Sequence, residues 1–84
     1  MEINNKFNIG SEIYFFNIFE SFPDIKIGVI KEITIFKNYN DELEFNYKIS
    51  YKWLGYDKVI YLTENFIFNT FDDAKKECDK YFEQ

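Results

Sequence analysis

The stretch Glu42–Leu62, ELEFNYKISYKWLGYDKVIYL, decides the fold. In its first twelve residues Leu43, Phe45, Tyr47, Ile49, Tyr51 and Trp53 occupy every second position, with Glu42, Glu44, Asn46, Lys48, Ser50 and Lys52 between them. Side chains alternate faces along an extended chain, so this pattern reads as a long strand with one face on a core and the other in water. Leu54-Gly55-Tyr56-Asp57 then reads as a hairpin turn, and Lys58–Leu62 as the returning strand.

Upstream, IYFFNIF (residues 13–19) is apolar at nearly every position and reads as a strand buried on one side and covered on the other. Phe22-Pro23-Asp24 interrupts it, because proline cannot donate to a ladder, so residues 20–24 read as a loop. In IKIGVIKEITIF (residues 25–36) Ile25, Ile27 and Val29 alternate, then Ile30, Ile33 and Ile35 take over the apolar role. A phase slip between Gly28 and Lys31 predicts a bulge or bend, the device by which one long strand serves two parts of a small barrel. Asn38–Asp41 reads as the next turn.

Downstream, Thr63-Glu64-Asn65 breaks the pattern and Phe66-Ile67-Phe68 reads as a last short strand. Thr70 has the hydroxyl of a helix N-cap, and Asp72 and Asp73 stand in the first turn, where the helix dipole favours anions. Phe71, Ala74, Cys78, Tyr81 and Phe82 then fall on one helical stripe. The expectation is a single domain over residues 1–84: mainly β, a small five-stranded, partly open barrel with strands over about 7–68 and a helix over about 70–83.

A chain of 84 residues folds around a small core, yet 46% of this one is hydrophobic and it carries 11 Phe and 7 Tyr. Tyrosine keeps its hydroxyl wet while its ring packs, but phenylalanine has no polar handle. A surplus of apolar surface therefore predicts a contact surface for a partner or for a second copy as a homodimer. The formal net charge is −5 and every basic residue is Lys. That charge argues against direct nucleic-acid binding through phosphates, and the bidentate forks of Arg are absent. An acidic surface can still complement a basic protein groove.

Without His, nucleophile-and-base catalysis lacks its usual base, so the chain reads as a non-enzyme with no cofactor and no metal. Cys78 on the helical stripe reads as a small buried hydrophobe. A lone Cys, no Asn-x-Ser/Thr acceptor and no apolar run near ~20 residues point to a cytoplasmic protein with no membrane span. Two residue sets remain for binding. Phe19 and Phe22 in the proline loop, with Trp53 and Tyr56 around Gly55, sit where strands end and are either a binding surface or a plug for the barrel end. Asp41, Glu42 and Glu44, with Asp57, are the acidic flank.

The segments KFNIGSEIYFF, GVIKEI, YKISY and VIYLTENFIFNTFDDAKKE, together spanning Lys6 to Glu77, resemble the small SH3-like barrels of Firmicutes and their phages. In that resemblance Gly10, Gly28 and the run Ile67–Thr70 are architectural. A small acidic protein of this kind is also similar to phage-encoded inhibitors of host nucleases and defence systems, anti-CRISPR proteins included. The resemblance implies a protein-binding module whose partner is a host protein. The alternative it leaves is a nucleic-acid or ribonucleoprotein-associated barrel of the KOW or Tudor type.

Overall fold

The computed structural model describes residues 7–19 and 23–82. Five antiparallel strands form one sheet in the order β4-β3-β2-β1-β5: β1 (Glu12–Phe15), β2 (Lys26–Lys37), β3 (Leu43–Trp53), β4 (Tyr56–Thr63) and β5 (Ile67–Phe68). A 3-10 turn, Glu64–Phe66, precedes β5, and helix α1 (Phe71–Phe82) closes the chain. The fold is mainly β, as expected, and the sheet is open: β4 and β5 are its two edges.

β2 holds the sheet together because its first part pairs with β1 (Glu12↔Val29 to Phe15↔Lys26) and most of its length pairs with β3 (Gly28↔Tyr51 to Lys37↔Leu43). The expected slip is present, as a register shift between Ile30 and Glu32 that reverses which alternate residues face in. The inward phase before it differs from the sequence reading: Lys26, Gly28 and Ile30 are buried, whereas Ile27 is exposed. Gly28 fits there because a Cβ would lie 2.4 Å from Ile49 Cγ2 and 3.1 Å from Phe15 Cε1. Any side chain would have to displace the core.

That core is Phe7, Ile13, Phe15, Ile30, Tyr47, Ile49 and Ile67. Fully buried Tyr47 meets Phe7 edge to face at 5.7 Å, and its hydroxyl donates to Glu64 Oε1 at 2.7 Å, so its one polar group is satisfied. On the opposite face of β1 and β5, Tyr14 and Phe68 are register partners, and Tyr14 packs edge-on against Phe71 of α1. Phe16, one residue past β1, stacks on Phe68 and meets Tyr81. β1 is thus buried on both sides, but it ends at Phe15 rather than running to Phe19, because residues 16–19 leave the ladder and turn, the Phe19 N–H donating to Asn17 Oδ1 at 3.0 Å. The last strand is likewise shorter than expected, since Phe66 belongs to the 3-10 turn. At the helix start Thr70 Oγ1 accepts from the Asp73 N–H at 3.1 Å, the expected cap.

Candidate functional site: the two ends of β3

β3 carries one hairpin at each end, and its ten steps at the rise of a strand put Leu43 and Trp53 roughly 33 Å apart. The sequence-derived residues are divided between these ends. Asp41, Glu42 and Glu44 lie at the β2–β3 end, while Trp53, Tyr56 and Asp57 lie at the β3–β4 end. Phe19 lies with neither set, and Phe22 falls outside the described residues.

At the β3–β4 end, Leu54 (φ 53°) and Gly55 (φ 82°) form a two-residue turn, with Trp53 and Tyr56 as the pair that closes it. Two successive left-handed residues match the twist of the strands they join. Trp53 is half-buried: Lys26 Nζ sits 4.3 Å from its ring centre, and Pro23, Ile25, Phe71 and Cys78 line the hollow beside it. Buried Lys26 thus presents its charge to a π face. Tyr56, on the same face of the hairpin, is 70% exposed. Asp57 stands opposite Lys52 on the outer face.

At the β2–β3 end the sheet narrows to two strands. β1 reaches only Val29, and the last β4 pair is Asn46↔Thr63, so in the ladder Ile35–Lys37 and Leu43–Phe45 pair only with each other as a two-stranded arm, with residues 63–65 beside its base. The elongation shows in the overall extents of 40 × 31 × 21 Å. Asn38 organises the tip. Its Oδ1 accepts from the Asn40 N–H (2.9 Å) and the Glu42 N–H (3.1 Å), and its Nδ2 donates to Glu44 Oε1 (3.0 Å). The Asp41 N–H donates to the Asn38 carbonyl, and Asp41 takes φ 64°, a region short polar residues tolerate. Tyr39, inside this ordered turn, is 98% exposed. Asp41 lies 3.5 Å from Lys37 in an exposed pair that contributes little to stability. In the sequence Tyr39 is one residue of the turn Asn38–Asp41, and nothing in its immediate neighbours marks it, because its projection depends on where distant strands stop.

A third feature lies beside β4. Phe16, Asn17, Ile18 and Phe19 on one side, with Ile60–Thr63 and Phe66 on the other, line an apolar cleft of about 420 Å³. Phe19 stands at its rim, 90% exposed, and Tyr61 is 61% exposed. This is the open seam of the sheet.

Burial pushes the Cys78 thiol above its usual range, away from the thiolate that reacts. Among the described residues no three His, Cys, Asp or Glu side chains come together as metal ligands. No helix among the described residues is long and apolar enough to cross a membrane. Family models, curated proteins and solved structures provide no match to this chain.

Proposed function

We propose that the chain is a non-enzymatic protein-binding module that docks its β2–β3 arm against a basic surface of another protein. The observation that carries this reading is the tip itself: a fully exposed Tyr39 held in a turn that Asn38 fixes through three hydrogen bonds, with Asp41 and Glu42 exposed beside it. Tyrosine is a favoured interface anchor, and a turn ordered before binding loses little entropy on docking. The two carboxylates add attraction to lysines or arginines and speed encounter. In its finer form the module is an inhibitor, of the kind phages and mobile elements encode, that covers the basic groove of a host nuclease or defence protein and excludes its polyanionic substrate.

The test is capture from bacterial lysate after nuclease digestion, with the wild-type chain and two variants immobilised in parallel. A protein retained in stoichiometric amount by wild type, reduced roughly tenfold or more by Tyr39→Ala and by Asp41→Lys/Glu42→Lys, supports the reading. Equal retention by all three chains overturns the arm as the docking element. Recovery of nucleic acid without a protein, with affinity falling steeply between 50 and 200 mM salt, supports the KOW- or Tudor-type alternative.

A further inference from the structure

We infer that two copies of the chain join along the free edges of β4, antiparallel about Val59, with Tyr56 of each copy entering the apolar cleft of the other. This does not depend on the arm, whose tip lies beyond the segment that pairs.

β4 is a sheet edge, and the two-residue turn fixes which of its backbone groups are free. Trp53 and Tyr56 close the hairpin as a hydrogen-bonded pair, so Tyr56, Lys58, Ile60 and Leu62 direct their N–H and C=O groups to β3. Those of Asp57, Val59, Tyr61 and Thr63 point outward, and among the described residues no strand meets them. Natural edges are protected by proline, bulges or charge. This one has an uncharged run, Val59–Leu62, and an unbroken register with β3.

The side chains of this edge favour one register for a second copy, the one centred on Val59. Residues directly opposite each other must share a face, so a self-pairing strand can slide only by two residues at a time. With Val59 against Val59, Asp57 faces Tyr61, Lys58 faces Ile60 and Tyr56 faces Leu62. Sliding by two residues one way sets Lys58 against Lys58. Sliding the other way keeps Asp57–Thr63 paired about Ile60 but sets Lys58 against Leu62 and leaves Tyr56 with no β4 residue opposite it. In the Val59 register the exposed Tyr56 ring shares a face with Leu62 of the second copy, and Leu62 lines the cleft with Phe16, Phe19 and Phe66. Phe19 and Tyr56 are separated in one chain by most of the length of β4, and they meet between two.

Charges agree with this register. Across the outer face Glu32 pairs with Lys48 at 3.9 Å, Lys48 is opposite Tyr61, and the second copy continues with Asp57 and then its own Lys52. The row runs negative, positive, phenol, negative, positive, and the Tyr61 hydroxyl can donate to the Asp57 carboxylate. The arrangement is isologous, so the same row recurs on the other side of the two-fold axis.

Seven residues of edge make a small interface, so the dimer should form over about 10 μM to 1 mM. Each copy carries a charge of −5, and salt that screens this repulsion should strengthen the association. Sedimentation across that range, at low and high salt, reads the equilibrium. Val59→Pro removes an N–H that points away from β3, so it should leave the chain folded and monomeric, whereas Val59→Thr keeps the donor and the dimer. Tyr56→Ala should weaken dimerisation roughly tenfold without moving the thermal transition. Should Val59→Pro unfold the chain, isotope-filtered NOE spectra on mixed labelled and unlabelled wild type decide, with contacts expected from Tyr56 to Leu62 and Phe19 of the other copy. A wild-type monomer at ~1 mM, a dimer unaffected by Val59→Pro, or a dimer lacking those contacts overturns the inference.

Discussion

Leu43 and Trp53 occupy the same phase of the same strand, yet one is 37% exposed on the arm and the other lies beneath a lysine against the helix. Alternation assigns each to the face that Tyr47 and Ile49 bury completely. It says nothing of cover. β1 pairs only with the first part of β2, so the core and α1 build up around the Trp53 end, while the Leu43 end has its hairpin partner and, beside it among the described residues, only residues 63–65 at the 3-10 turn. A strand can therefore be core in its middle, an anchor at one end and a probe at the other, with one pattern throughout.

Paired truncations along β3 should break the equivalence that the pattern suggests. Ile49→Ala, at a fully buried position that touches the Gly28 site, should cost about 2–5 kcal/mol in chemical denaturation, whereas Leu43→Ala should cost under about 0.5 kcal/mol. Comparable losses at both positions would mean that the arm packs against something in solution. Gly28→Ala tests the same crowded point from the other side and should cost about 1–3 kcal/mol, since Ile49 and Phe15 have to move.

The closing pair of the β3–β4 hairpin makes the next contrast. Trp53→Ala should cost about 3 kcal/mol, because the half-buried ring walls the hollow it shares with Pro23, Ile25 and Phe71 and carries the Lys26 ammonium on its face. Tyr56→Ala should leave stability within about 0.5 kcal/mol of wild type when measured dilute. Lys26→Met keeps the stem and removes the charge over the ring together with the ammonium's other contacts, so it should cost about 1–2 kcal/mol or more. A Lys26→Met protein more stable than wild type would show that burying the ammonium costs more than the ring returns.

These contrasts mark what the sequence could and could not convey. The inward face of β3, the Gly55 turn, the slip after Ile30 and the Thr70 cap were legible because each is a local pattern with a local cause. The inward phase of early β2 was hidden, since a lysine and a glycine facing a core look like the polar side of a strand. Only the positions of Trp53, Ile49 and Phe15 explain them. Residues 13–19 carry apolar side chains for both the core and the helix, so their composition could not show that the strand stops at Phe15. Of the site, the acids and rings were visible as residues. Their division between opposite ends, and the prominence of Tyr39, follow from strand lengths that no neighbouring residue encodes.

At the arm, Asn38→Ala should cost about 1–2 kcal/mol, because two backbone N–H groups lose their acceptor. Asn38→Asp keeps that acceptor but sets a carboxylate against Glu44 where the amide had donated. It should therefore destabilise the arm at neutral pH, and adding Glu44→Gln should restore most of the loss in thermal melts. A loss that Glu44→Gln leaves unchanged would show that the two side chains do not meet.

The smallest expected effect sharpens the covered end. Burial is the main cause that pushes the Cys78 thiol above its ordinary value of 9.0, Asp79 and Asp24 push the same way, and Lys75 and Lys26 oppose them. The folded chain therefore holds the thiol proton more tightly than the unfolded chain does. The resulting stability is fully present below about pH 9 and is lost as the pH rises through the folded value. Lysines and tyrosines titrate in the same range, so the informative quantity is the difference between wild type and Cys78→Ala. That difference should stay constant from pH 7 to 8.5 and shrink above it. A difference that grows with pH would mean that Lys75 and Lys26 outweigh burial and hold the thiolate, and would recast the hollow beside Trp53 as a site where a thiol reacts.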